Sequence, residues 1–130
     1  MRKPRTPATL AVTAGRDPRR FLGAINTPVF RASTITFRDV ADLERAERGE
    51  RDPGLGPAYG LHGLPTVTDL QAALAELEGG TAAFAVPSGL TATTLPFLAL
   101  CRAGDHVLVT DSVYFPTRRF CATTLARFGI

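Results

Sequence analysis

Apolar positions in the second half of the chain recur with helical spacing and are separated by short continuous apolar runs. Val67, Leu70, Leu74 and Leu77 keep to one face of a 3.6-residue period, which predicts a helix from Thr66 to the stop at Gly79-Gly80. Thr66 followed by Asp69 has the form of a capping box with the shorter acid as its second member. Residues 81–86 (TAAFAV) and 106–110 (HVLVT) are nearly all apolar, the pattern of strands covered on both faces. Between them residues 90–102 read as a helix, with Pro96 inside it predicting a kink or break. Pro116 fits the first turn of a last helix whose face carries Cys121, Leu125 and Phe128, with Gly129 at its end. Upstream, residues 29–37 (VFRASTITF), preceded by Pro18 and Pro28, read as a β-rich arm, and residues 39–48 as a short helix with Val40 and Leu43 on one face. Residues 49–65 hold five Gly and three Pro, and a loop of that length is the first place to look for a site.

Helix, strand, helix, strand, helix argues for an α/β layer with a parallel sheet. Two strands do not complete such a sheet, and the chain stops at Ile130, where a third would begin. The sheet is therefore expected to be incomplete. Two all-apolar strands with about three helices to cover them also predict that the isolated chain is not a stable monomer.

Composition narrows the classes. The chain has 130 residues, 45% hydrophobic and 21% charged, which excludes wholesale disorder, collagen-like repeats and a disulfide-stapled miniprotein. Its longest apolar stretch, residues 95–101, is too short for a membrane span of roughly 20 residues and contains Pro96. Residues 1–20 carry a net charge of +5 and the other 110 a net −2. A basic N-terminus fits a transit peptide or a nucleic-acid arm, but no aromatic residues interleave with the charges, so a solvated arm is the simpler reading. Cys101 and Cys121 form no CxxC pair and have no His at ligand spacing, which reads as buried, reduced thiols of a cytosolic protein without a metal. Of 15 basic residues only Lys3 is a lysine, so chemistry needing a lysine amine must use it or a residue outside this chain.

In open α/β sheets ligands sit at the carboxyl ends of strands beside helix N-termini. Ser88-Gly89-Leu90 leads from the first strand into a helix, where free N–H groups and the positive end of the dipole suit a phosphate. Ser88 as a plain N-cap and Gly89 as a turn residue explain the same run equally well. Tyr114, after the second strand, has the form of a ring that stacks on a planar ligand or of a packing aromatic. His62 and His106 read as surface or packing residues.

Taken together, YGLHGLPT at residues 59–66, ALAELEGGTAAFAVPSGLTA at 73–92 and AGDHVLVTDSVYFPTRRFC at 103–121 resemble the trans-sulfuration enzymes. These are the pyridoxal-phosphate enzymes of Cys and Met metabolism, and the last motif is nearest the cystathionine β-lyase branch. The run NTPVFRAST at residues 26–34 is similar to their N-terminal arm. The resemblance implies an arm and inter-subunit segment over residues 1–58. Residues 59–130 would then be the start of a fold-type-I (aspartate-aminotransferase-like) α/β domain that binds pyridoxal 5'-phosphate. It assigns Tyr59 to the cofactor phosphate of the neighbouring subunit, Gly89 and Leu90 to the phosphate through their backbone N–H groups, and Tyr114 to the pyridine ring. It implies a carbon–sulfur lyase acting on cystathionine or a related sulfur amino acid, as a homo-oligomer, dimer or tetramer, with no nucleic-acid or membrane partner.

Two positions depart from the family pattern. The arginine expected two residues after the tyrosine, where it pairs with the phosphate, is Leu61. The cofactor-anchoring lysine, the aspartate facing the pyridine nitrogen and a phosphate-binding Ser or Thr all lie beyond residue 130 in the family. No catalytic residue is therefore expected within this chain, and it is expected to be inactive alone. The competing readings are a small non-catalytic phosphate- or nucleotide-binding α/β domain using the Ser88-Gly89 turn, and a nucleic-acid-binding protein using the basic arm.

Overall fold

The computed structural model describes residues 5–50 and 57–130, so Lys3 and residues 51–56 of the Gly/Pro-rich loop lie outside the described residues. The chain divides into two compact units, Met1–Phe84 and Ala85–Ile130.

The first unit opens with a helix that hydrophobic periodicity did not signal. α1 (Pro7–Thr13) starts because Thr6 accepts a hydrogen bond from the Thr9 N–H at 3.3 Å and Pro7 fits the first turn. Asp17 then caps a 3₁₀ turn, Pro18–Phe21, by accepting from the Arg19 N–H at 3.2 Å. Much of the predicted solvated arm is thus helical. Two of its arginines face acids of this chain, Arg5 bonding Glu76 and Arg20 lying 3.0 Å from Asp69.

α2 (Val40–Glu47) lies where predicted, with Asp39 accepting from the Asp42 N–H at 2.7 Å as its cap. Asp42 is fully buried and accepts from the Arg38 N–H at 3.3 Å.

α3 (Pro65–Glu78) ends at Gly79, whose φ of 66° is the left-handed closure that glycine adopts without a Cβ penalty. Its start corrects the predicted capping box. Leu64 is the N-cap with no side-chain bond, and Pro65 occupies the first turn. Thr66 and Asp69 serve the arm instead. The Thr66 hydroxyl accepts from the Phe30 N–H at 2.7 Å and donates to the Pro28 carbonyl at 3.0 Å. Asp69 accepts the Thr27 hydroxyl at 2.6 Å along with Arg20. For Thr66 the physical reason is backbone accounting, since the Phe30 N–H and the Pro28 carbonyl of the extended arm need partners; Asp69 instead takes two side-chain donors.

The second unit pairs α4 (Gly89–Leu100) with α5 (Phe115–Phe120), which runs into a π-helical turn, Cys121–Leu125. Phe97 and Phe120 stack with ring centroids 6.3 Å apart, and Leu125 and Thr117 are buried. The Gly104 N–H donates to the Gly129 carbonyl at 2.7 Å, tying the 103–105 turn to the end of the helical run.

The predicted strands form no ladder. Among the described residues the β-type pairing is one antiparallel bridge, Thr34 with Tyr59, and residues 81–86 and 106–110 are neither helical nor paired. A strand is held by hydrogen bonds to a neighbour, and an apolar run has no ladder without one.

The apolar stripe of α3 is likewise uncovered: Val67, Leu70, Leu74 and Leu77 are 41–53% exposed, and Phe84 and Leu108 more so. Such a surface is expected to drive self-association of the chain on its own. In sedimentation velocity the weight-average mass should rise with concentration, and a constant 13.9 kDa species would overturn this expectation.

Candidate functional site

In the second unit Ser88 caps α4, its hydroxyl accepting from the Thr91 N–H at 3.1 Å and its carbonyl from the Ala92 N–H at 3.0 Å. The plain N-cap role is therefore real. It also leaves room for a ligand, because the N–H groups of Gly89 and Leu90 at a helix start have no carbonyl within the helix to donate to. Their own carbonyls accept the hydroxyls of Thr93 and Thr94, each at 2.9 Å. Gly89 and Leu90 are exposed, and a Cβ placed on Gly89 would meet nothing within 4 Å beyond its chain neighbours. Together these features give an outward-facing pair of donors at the positive end of a 12-residue helix.

Tyr114 is the residue before α5, its carbonyl accepting from the Thr117 and Arg118 N–H groups at 2.9 and 3.2 Å. The residue is 66% exposed rather than packed. Arg118 turns back to Asp111 at 2.8 Å. The start of α5 and the start of α4 meet around one cavity of about 290 Å³, lined by Leu90, Phe115, Pro116, Arg119 and Phe120 among others. Three of the four predicted site residues, Gly89, Leu90 and Tyr114, thus belong to helix starts of one unit.

Tyr59 belongs to the first unit and is held on several sides. It bridges Thr34, and the next residue's N–H donates to the Ser33 carbonyl at 2.8 Å. A Cβ on Gly60 would stand 2.2 Å from the Ala32 carbonyl oxygen and 2.9 Å from that of Ser33, so only glycine lets the two segments approach. The Ser33 hydroxyl donates to the Tyr59 oxygen at 3.2 Å. His62 sets its ring edge-on to Tyr59, centroids 5.8 Å apart, while Leu61 is 84% exposed. The sequence reading missed both Ser33 and the Thr66–Asp69 arm contacts; no local pattern links residue 33 to residue 59.

Among the described residues no three His, Cys, Asp or Glu side chains converge, and no helix is long and apolar enough to cross a membrane. Both cysteines are free and half-buried.

Residues 8–130 match the family described as Cys/Met metabolism PLP-dependent enzyme. The chain is 45% identical over 116 residues to a putative cystathionine beta-lyase of Rhizobium johnstonii, covering 89% of this chain and 28% of that protein. It is 38% identical over 122 residues to the cystathionine beta-lyase MetC of Escherichia coli, covering 94% of this chain and 30% of that one. The crystal structure of metB from Corynebacterium glutamicum superposes with a TM-score of 0.79 at 28% identity, over 96% of this chain and 30% of that one. The chain thus spans less than a third of the length of these relatives.

Proposed function

Because the chain belongs to the family of pyridoxal-phosphate-dependent enzymes of Cys and Met metabolism, we propose that it forms part of the cofactor site of a carbon–sulfur lyase of the cystathionine β-lyase type. The observation that carries this is the N-terminus of α4, where Gly89 and Leu90, both exposed, present N–H groups that the helix itself leaves without acceptors. The residues fit the cofactor. Gly89 and Leu90 would hold its phosphate through their N–H groups, the exposed Tyr114 ring would lie against its pyridine ring, and the Tyr59 hydroxyl would donate to the phosphate of a neighbouring subunit. When bound, the cofactor supplies an electron sink for bond breaking at the Cα of an amino acid, while the protein orients and desolvates. Tyr114 in this role fixes the ring's plane by stacking. The helix start neutralises part of the phosphate charge and so holds the ring in register. In the same reading the apolar runs 81–86 and 106–110 are strands of the large-domain sheet, and the protein is a cytoplasmic homo-oligomer.

The substrate in this reading is cystathionine, which with one water yields homocysteine, pyruvate and ammonia. The family match favours this reading over the nucleotide-binding and nucleic-acid ones.

Expected results separate chain from enzyme. The only lysine here is Lys3, outside the described residues, and a reacting amine must be held beside the cofactor. The 130-residue chain with pyridoxal phosphate should release pyruvate from cystathionine no faster than the free cofactor does. The full-length protein should release it far above that background. Equal rates from both would sink the lyase assignment, and release by the chain that is lost on Lys3→Ala would overturn the expected inactivity.

A further inference from the structure

Tyr59 has a donor and an acceptor function on one oxygen, and the arm occupies the acceptor side. The Ser33 hydroxyl donates to the Tyr59 oxygen at 3.2 Å. The same residue's carbonyl accepts from the Gly60 N–H at 2.8 Å, and its neighbour Thr34 bridges Tyr59. Ser33 thus grips the Tyr59-Gly60 pair through backbone and side chain together. A phenol that receives a hydrogen bond from one side must send its own hydrogen elsewhere. The bond it receives also polarises it, strengthening the bond it gives. Tyr59 is 40% exposed, so part of the residue is open to a ligand. The ring itself is set by the edge-on contact with His62.

We propose that Ser33 is the positioning residue of Tyr59, aiming the phenol O–H outward at an anionic oxygen. The inference rests on the reading above, in which that anion is the cofactor phosphate. Ser33 does not touch the cofactor; it decides where the Tyr59 hydrogen points. Loss of the Ser33 hydroxyl leaves the phenol free to rotate its hydrogen toward the arm, and the phosphate loses a directed donor.

The test is equilibrium dialysis of the full-length protein with pyridoxal phosphate, and with pyridoxal, which lacks the phosphate. Ser33→Thr and Ser33→Val, nearly equal in volume, differ in the hydroxyl alone. Ser33→Thr should bind pyridoxal phosphate as the parent does. Ser33→Val should bind it roughly three- to tenfold more weakly, the worth of one hydrogen bond. Neither change should alter pyridoxal binding. Combined with Tyr59→Phe, Ser33→Val should add no further loss, because its effect passes through the phenol. If Tyr59→Phe weakens phosphate-dependent binding but Ser33→Val equals Ser33→Thr, the positioning role is wrong. Additive losses, or a loss that extends to pyridoxal, would reduce Ser33 to general scaffolding and overturn it too. Unchanged binding in Tyr59→Phe would instead sink the assignment of Tyr59 to the phosphate, a failure of the underlying reading.

Discussion

Gly60→Ala is expected to be the most damaging single-methyl change in the first unit. The added carbon would lie 2.2 Å from the Ala32 carbonyl oxygen, and both nearby oxygens are backbone atoms that no side-chain rotation can move aside. Overpacking of this kind costs about 1–3 kcal/mol, and contact with fixed backbone puts Gly60 at the upper end. Relief requires the arm to separate from the Tyr59 turn, breaking the Gly60–Ser33 hydrogen bond and the Thr34–Tyr59 bridge. The denaturation midpoint of the full-length protein should fall, and phosphate-dependent cofactor binding should fall at least as far as in Tyr59→Phe. An unaltered midpoint would mean that residues 32–33 move away without penalty.

Leu61→Arg is expected to work in the other direction. Leu61 projects into solvent beside Tyr59, at the position where the family resemblance places an arginine on the phosphate. A guanidinium there would supply a charge-assisted and bidentate contact that leucine cannot make. Such a contact is worth roughly 1.5–3 kcal/mol, or about ten- to a hundredfold in affinity. Pyridoxal phosphate should bind the Leu61→Arg full-length protein more tightly by that factor, with pyridoxal unaffected. An unchanged dissociation constant would show that another group already holds the phosphate.

How far the sequence is legible differs from one element to the next, for physical reasons. α3 and α4 lie within two residues of their predicted ends, because apolar periodicity and Gly or Ser punctuation act locally. Periodicity missed α1, although Thr6 and Pro7 are a local start signal in plain sight. Thr66 and Asp69 have the spacing of a cap but bond the arm, because Pro65 opens the helix one residue earlier and the arm offers backbone groups to Thr66 and the Thr27 hydroxyl to Asp69. The apolar composition of residues 81–86 and 106–110 marks them as strand-like, yet pairing is a property of neighbours, and no strand pairs with them among the described residues. At the site, the helix start at Gly89 was legible for the same local reason as the helices. The surroundings of Tyr59 were not, since they are built from contacts 26 positions apart.

That separation bears on what natural variation the molecule can absorb. Closing a loop costs entropy that grows only as the logarithm of its length, so doubling the stretch between residues 33 and 59 would add about 0.6 kcal/mol. A methyl group at Gly60 costs several times as much. Insertions and deletions between the two halves of this clasp are therefore far easier to accommodate than a change of identity at the clasp itself. Lineages should differ in how many residues lie between Ser33 and Tyr59 well before they differ in what stands at position 60.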